Sequence, residues 1–269
     1  MSLHPELRHR LETVGVDLED LGDPQVAWAR LHERYGRRAT LLDRYALEAE
    51  QRGVAAHELE PELRARLTVE VLRAHDPEWE LVEGSERAQR DPVEVAAYDP
   101  SWVTRFDEWR DRLRASLGWV ARRIEHIGST AVPGLSAKPV IDIQVSVDDP
   151  SDEASYVPVI EELGVSLRSR ERDGHRYFRP AGARKRTVQI HVCQSGSEWE
   201  RTHLLFRDFL RAEPAARQAY ASLKRELAHR YRDDRIAYTE GKTGFILDTM
   251  QEAWRWAEET GWTLPDPTS

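Results

Sequence analysis

The chain is poor in cysteine and in long apolar runs, and each shortage excludes a class of protein. Cys193 is the single cysteine among 269 residues, so an intrachain disulfide is excluded and a cysteine-based zinc site is not expected. No run of about eighteen apolar residues occurs, so no membrane-spanning helix is predicted. The first residues, MSLHPELRHRLE, are too polar for a secretory signal. These observations predict a soluble, cytoplasmic protein with no membrane partner.

Lysine is also scarce, and negative charge outweighs positive charge. The formal net charge is −9, which argues against a general nucleic-acid binder, because attraction to a phosphate backbone needs a positive face. Arginine supplies nearly all the positive charge, and only four lysines occur: Lys138, Lys185, Lys224 and Lys242. Because lysine and arginine differ in donor geometry and hydration, these lysines are candidates for specific contacts. The alternative is placement by chance.

Residues 1–88 have the pattern of an all-helical N-terminal domain. Asp23 and Pro24 are typical of an N-cap followed by proline at the first helical position. Helices are predicted over residues 5–13, 25–51 with a break near Gly36, and 61–74. The polar stretch 76–92 marks the boundary with a second domain, residues 89–269. Residues 1–88 contain no catalytic or metal-binding pattern, so we expect them to bind a protein partner or to self-associate.

A turn of small residues followed by an apolar strand organises the second domain. Gly128 and Ser129 leave room for a phosphate to approach the backbone N–H groups. The predicted strand 139–147 is rich in branched apolar residues, and Asp142 and Gln144 alternate on one of its faces. An aspartate in so apolar a strand is costly to bury unless a metal ion, another cation or hydrogen bonds compensate its charge.

These residues resemble two known patterns. Gly128-Ser129, followed after twelve residues by Asp142-x-Gln144, resembles the signature of the nucleotidyltransferase superfamily, which includes the palm of DNA polymerase β. The longer string EHIGSTAVPGL-x-AKP-x-IDI resembles the GrpB family of uncharacterised proteins, and the resemblance continues to about residue 247. It implies an α+β, nucleotidyltransferase-like fold: a small mixed β-sheet with flanking helices, packed mainly on one side.

The pattern of the second domain predicts its other elements. Strands are expected over 93–98 and 124–127, with further antiparallel strands between 165 and 193. Helices are expected over 102–117, 153–163, 199–231 with a break at Glu213-Pro214, and 246–259.

The superfamily resemblance implies a site for Mg²⁺ and a nucleoside triphosphate. Such sites use two carboxylates two residues apart, often with a third on a neighbouring strand. Asp142 occupies the first position, whereas Gln144 replaces the second carboxylate and His191 stands on the expected neighbouring strand. The predicted metal ligands are therefore Asp142, Gln144 and His191. An amide oxygen brings no negative charge, and imidazole suits softer metals better than Mg²⁺.

Other residues complete the predicted site. Glu125 would join Ser129 and Asp142 in the catalytic set by supplying the missing carboxylate or holding a ribose hydroxyl; alternatively it caps the turn. The predicted phosphate-binding residues are Gly128, Ser129, Thr130, Lys138, Arg184, Arg186, Arg207 and Lys242. Eight basic residues and two acids lie between positions 168 and 186, which indicates either a rim for phosphates or a solvated hairpin. Arg207 has a second interpretation, a structural pair with Asp208.

Two functions follow from this pattern. The first is an Mg²⁺-dependent nucleotidyltransferase that moves a nucleoside monophosphate from a triphosphate onto a hydroxyl acceptor. The second is a non-catalytic module that binds a nucleotide or phosphorylated metabolite, or stabilises a partner, and has a degenerate metal site. The complete Gly-Ser turn and Asp142 favour the first function, and Gln144 favours the second.

Overall fold

The computed structural model describes residues 3, 5–18, 21–75, 80–81, 92–171, 174–181 and 187–264. The chain divides into two units. The N-terminal unit comprises residues 1–77 and 239–244, and the C-terminal unit comprises residues 78–238 and 245–269. None of the described helices is both long enough and apolar enough to cross a membrane. The predicted domain boundary near residue 88 lies outside the described residues.

Four helices form most of the N-terminal unit: α1 Pro5–Thr13, α2 Pro24–Tyr35, α3 Leu41–Arg52 and α4 Pro61–His75. Asp23 caps α2 by accepting a hydrogen bond from the Gln25 N–H, as predicted. The break between α2 and α3 begins at Gly36, and Gly53 ends α3 in a left-handed conformation with φ 65°. The side chain of Glu240 accepts a hydrogen bond from the Leu41 N–H in this unit.

The C-terminal unit contains a mixed sheet of six strands: β1 Glu80–Leu81, β2 Arg123–Ile127, β3 Ile141–Val147, β4 Val165–Arg170, β5 Arg176–Pro180 and β6 Val188–Gln194. Their order is β1-β4-β5-β6-β3-β2, and only the β3–β6 pair is parallel. The prediction of an α+β fold with a mixed sheet is confirmed. The prediction that residues 1–88 are wholly helical is wrong at 80–81, because these residues pair with β4 and extend the sheet edge.

The remaining helices are α5 Ser101–Leu117, α6 Val157–Glu161, α7 Glu198–Ala212, α8 Pro214–Arg230, α9 Arg235–Glu240 and α10 Thr243–Thr260. One face of the sheet is apolar and buries its side chains against α5 and α6. The other face contacts α7 through β2 and β6. Helix α7 therefore lies on the polar face, where its own charged residues meet those of the sheet, while α5 and α6 pack on the apolar face.

Two predicted elements, the strand 93–98 and the helix 153–163, differ from the expectation. Residues 93–98 are extended but form no strand, because Ala96 alone bridges to Ala137 and the Val93 N–H is bonded to the Arg232 carbonyl. The predicted helix 153–163 is divided into a 3₁₀ turn, Glu153–Ser155, and α6. Pro158 lies in the first turn of α6, where a missing N–H is tolerated, so the helix has to start again just before it.

Candidate functional site

The glycine–serine turn and the strand aspartate are in direct contact. Gly128 follows β2 with φ 69° and ψ −170°, a region that is essentially restricted to glycine. A Cβ atom at this position would lie 3.0 Å from Cβ and Cγ of Asp142 and would overlap its carboxylate. Ser129 then begins a 3₁₀ turn, Ser129–Ala131. The conformation at Gly128 thus lets the Asp142 carboxylate lie against the turn.

Strand register assembles the rest of the predicted site. Asp142, Gln144 and Ser146 alternate along β3 with apolar residues that enter the core, so all three lie on the polar face. Gln144 is paired with Glu125 on one side and with His191 on the other. The predicted proximity of the Asp142 strand and the His191 strand is confirmed.

His191 belongs to a row of polar side chains that sequence reasoning missed. His191 Nε2 lies 3.8 Å from Asp142 Oδ1, and His191 Nδ1 forms a 2.9 Å hydrogen bond with His175 Nε2. On the far side, His175 Nδ1 lies 3.1 Å from Glu171 Oε2. Both rings stack on Trp199, and burial lowers the pKa of His191, which favours its neutral form.

Gln144 is fixed in a buried network. Its side chain is fully buried, and Nε2 donates to Ser146 Oγ over 3.2 Å. Ser146 Oγ in turn donates to Glu200 Oε1 over 2.6 Å, and Arg123 Nε donates to the same oxygen over 3.0 Å. The amide oxygen of Gln144 is buried and accepts no hydrogen bond from the described residues. The neutral amide is therefore built into the contact between the sheet and α7.

Glu125 and Arg207 form a buried ion pair beside this network. Arg207 Nη1 donates to Glu125 Oε2 over 2.7 Å, while Glu125 Oε1 lies 3.8 Å from Arg123. Arg207 also donates to Asp208 over 2.7 Å and to the His126 carbonyl. Arg207 thus has the pairing with Asp208 expected of its structural interpretation, and Glu125 is paired with Arg207 and Arg123.

A cluster of lysine and tyrosine side chains lies on the other side of the turn. The Tyr220 phenol lies close enough to Ser129 to interact with it, and Lys224 Nζ lies 4.4 Å from the centre of the Tyr220 ring. Lys138 Nζ lies 4.5 Å from the centre of the Tyr238 ring. Burial raises the pKa of Tyr220, and it raises the pKa of Tyr238 to about 12, so both phenols keep their protons. Two of the four lysines in the chain meet here.

The hydroxyl of Thr130, a predicted phosphate contact, is directed to the core. It lies 3.0 Å from His126 Nε2 and donates to the Val140 carbonyl. The His126 ring stacks on Phe106 with 4.7 Å between centres, and burial lowers the pKa of His126 to about 4. His126 is therefore a neutral core residue.

The remaining predicted phosphate contacts are Arg184, Arg186 and Lys242. Arg184 and Arg186 lie outside the described residues, and Lys242 belongs to the N-terminal unit. In the predicted basic rim, Arg170 and Arg176 both pair with Glu153, at 2.7 and 2.6 Å. Arg170 and Arg176 therefore share one carboxylate, which neutralises one of their two positive charges.

The donors around Asp142 fit a pair of Mg²⁺ ions poorly. Within the described residues, no group of three or more His, Cys, Asp and Glu side chains is placed to hold a metal ion. Asp142 supplies one carboxylate, Gln144 adds no charge, and Glu125 is paired with arginines. Mg²⁺ prefers oxygen ligands with several carboxylate or phosphate groups. The chain's own side chains therefore supply the chemistry of this site.

The fold and the site define an α+β protein in which a single carboxylate lies against a glycine–serine turn on the polar face of a mixed sheet. The chain belongs to the GrpB family: the family model described as "GrpB protein" matches residues 92–252. The solved structure of the conserved protein GrpB from Enterococcus faecalis is similar, with 34% identity and a TM-score of 0.55. That similarity covers 60% of this chain and 98% of the other.

Relatives extend the comparison to other bacteria. The UPF0157 protein of Halalkalibacterium halodurans is 38% identical over 177 residues, which cover 65% of this chain and 89% of the relative. A more distant relative, the dephospho-CoA kinase of Mycobacterium leprae, is 29% identical over 201 residues, covering 64% of this chain and 49% of the kinase. The chain thus spans about half the length of that kinase.

Proposed function

We propose that the C-terminal unit binds the phosphate groups of a nucleotide or another phosphorylated small molecule beside the Gly128-Ser129 turn. The observation that carries this proposal is the approach of α8 to the turn: the Tyr220 phenol lies close to Ser129, and Lys224 Nζ lies 4.4 Å from the centre of the Tyr220 ring. Lys138 approaches the same region with Tyr238, so cationic and hydroxyl donors converge on the turn.

The chemistry of these donors suits phosphate oxygens. A protonated phenol and a serine hydroxyl donate hydrogen bonds, and an ammonium group adds charge-assisted ones, which are stronger than neutral pairs. Tyr220 and Lys224 are buried, whereas Ser129, Lys138 and Asp142 are partly exposed. A ligand would enter on the exposed side, with its phosphates toward the lysines and its remaining groups toward Asp142.

The named activity of one relative agrees with a phosphorylated ligand. The protein from Mycobacterium leprae is a dephospho-CoA kinase by name, but the matched stretch is only 49% of its length. That stretch supports a nucleotide-containing ligand for this chain and does not transfer the kinase activity to it.

A titration with ATP tests the proposal. We expect wild-type protein to bind ATP, and Lys224→Met to weaken binding by about tenfold or more, since a hydrogen bond to a charged group contributes about 1.5–3 kcal/mol. Arg225→Met is the matched control, because Arg225 is the exposed next residue of α8 and contacts Ser222. Ser129→Ala provides a second variant if Lys224→Met unfolds. Equal ATP affinity in folded Lys224→Met and wild-type protein would contradict the proposal.

Nucleotidyl transfer is the second candidate function, favoured by the contact between Gly128 and Asp142. The superfamily resemblance implies that the glycine–serine turn and the strand aspartate belong to one site, and the contact between them supports this candidate. The poor fit to two Mg²⁺ ions argues against it. Release of pyrophosphate from ATP that depends on Asp142 would favour transfer over binding alone, whereas ATP binding without pyrophosphate release would favour the binding module.

A further inference from the structure

The two arginines of β5 lie on opposite faces of the sheet. Arg176 is opposite the core residue Val192 and donates to Glu153 over 2.6 Å. Arg179 is three residues further along the strand, so alternation directs it to the other, polar face, which also carries Asp142. Glu153 therefore compensates Arg176 on one side of the sheet and lies on the opposite side from Arg179.

A β-bulge in β4 brings a second arginine, Arg168, to the polar face beside Arg179. The strand register changes between Leu167 and Ser169, so Arg168 is the extra residue of the bulge. Because Leu167 enters the core, alternation along β4 places Arg168 on the polar face. Arg168 Nη2 donates over 3.4 Å to the carbonyl of Pro180, the residue after Arg179. The two arginines thus meet on neighbouring strands.

Arg168 is buried with little to compensate its positive charge. Only 7% of the residue is exposed, and its Nε is buried and donates to no acceptor. No carboxylate in the part of the chain that the structure describes forms an ion pair with Arg168. Arg179 is buried to the same extent, 7%. Because a buried charge without a counter-charge costs free energy, this pair of arginines calls for an anion.

We propose that Arg168 and Arg179 form an anion subsite, which takes a phosphate or carboxylate group of a small molecule. Nη1 of Arg168 is not buried and donates to none of the described residues, so an anion can approach the guanidinium from that side. Guanidinium groups present forked donors that match the oxygens of a carboxylate or a phosphate. The anion supplies the missing negative charge and offsets the repulsion between the two arginines.

The subsite is separate from the Gly128-Ser129 turn but shares its face of the sheet. The register places Arg179 level with Gln189 of β6, which pairs with Asp142 of β3. One strand therefore lies between Arg179 and Asp142, and two strand spacings correspond to about 10 Å. Anion binding by the arginines thus does not depend on whether a ligand binds at the turn.

Thermal unfolding of the full chain in phosphate, acetate or chloride at equal ionic strength tests the inference. We expect phosphate or acetate to raise the melting temperature above that in chloride, because an anion that binds the folded chain stabilises it. Arg168→Met should weaken the apparent affinity for that anion by about tenfold or more. In chloride, the same variant should melt at the wild-type temperature or above, since it removes a buried charge that no carboxylate compensates. The Ser129→Ala background removes the contribution of the turn from every comparison.

Arg176→Met is the matched control, because it removes an arginine that Glu153 compensates. It should lower the melting temperature in all three salts and keep the wild-type response to the anion. Arg179→Met is the second variant if Arg168→Met does not fold. A wild-type chain that melts at the same temperature in all three salts would overturn the inference. So would an Arg168→Met chain that loses stability in chloride and keeps the wild-type response to phosphate and acetate.

Discussion

The backbone of Gly128 lies directly against the carboxylate of Asp142, and the contact leaves no room for a side chain at position 128. The turn and the strand are therefore coupled: a change in one displaces the functional group of the other. Sequence spacing brings the two residues to the same end of the β2–β3 pair, and the glycine conformation closes the remaining distance.

Gly128→Ala should damage both stability and ligand binding. The conformation at this position costs a residue with a side chain about 1–3 kcal/mol, and overlap with Asp142 adds to that loss. We expect a lower free energy of unfolding, measured with urea, and weaker ATP binding in the folded fraction. Gly134→Ala is the control, since Gly134 also has a positive φ, 79°, but has no atom within 4 Å of the added Cβ. Equal losses in both variants would show that the contact with Asp142 is unimportant.

Arg207 should prove structural. Replacing it with methionine leaves Glu125 and Asp208 without their shared partner at an almost fully buried position, so we expect a loss of about 3 kcal/mol in the free energy of unfolding. Arg230→Met removes an exposed pair with Glu226 and should cost less than about 1 kcal/mol. An Arg207→Met protein that is as stable as wild type but binds ATP weakly would instead support the predicted phosphate contact.

The sequence predicts the parts of the site that depend on local pattern. Alternation along β3 places Asp142 and Gln144 on one face, and the small residues at 128 and 129 predict the turn. Strand register adds His191 once β6 lies beside β3. These features need only a period of two and a turn signal.

The rest of the site depends on contacts between distant segments. Tyr220 approaches Ser129 from α8, some ninety residues away, with Lys224 over its ring, and no local pattern predicts that approach. A count of basic residues along the chain cannot show that Arg170 and Arg176 share the carboxylate of Glu153. Glu171 and His175 gain their significance only when the hairpin folds against β6.

Acid should destabilise the protein before its carboxylates titrate. Burial lowers the pKa of His126 to about 4 and that of His203 to about 4, against an ordinary value of 6.5. Between pH 4 and pH 6.5 the unfolded chain binds more protons than the folded chain. The stabilisation that the neutral histidines provide is therefore fully present above pH 6.5, and the free energy of unfolding falls as the pH drops toward 4. Each histidine should contribute a loss of about 2 kcal/mol at pH 5.

His126→Phe preserves a ring against Phe106 and should flatten this dependence, as measured by urea unfolding at pH 7 and pH 5. His229→Gln changes an exposed histidine and should leave the slope unchanged. The same steep slope in His126→Phe would show that His126 is not responsible for the acid sensitivity.

Residues 89–269 should fold without the preceding residues, because the family match starts at residue 92 and the main sheet lies after it. We expect a cooperative thermal melt and a native near-ultraviolet circular dichroism spectrum. Faster hydrogen exchange should be confined to β4, which loses its pairing with β1, and to residues 239–244, which lose contacts such as the one between Glu240 and Leu41. A non-cooperative melt would contradict an independent C-terminal domain.

The most direct test of phosphate binding at the Gly128-Ser129 turn is a crystal structure of the chain with a non-hydrolysable ATP analogue. The predicted result is phosphate density next to Ser129 and Lys224. Phosphates bound elsewhere on the chain, with Ser129 and Lys224 unchanged from their present contacts, would contradict it.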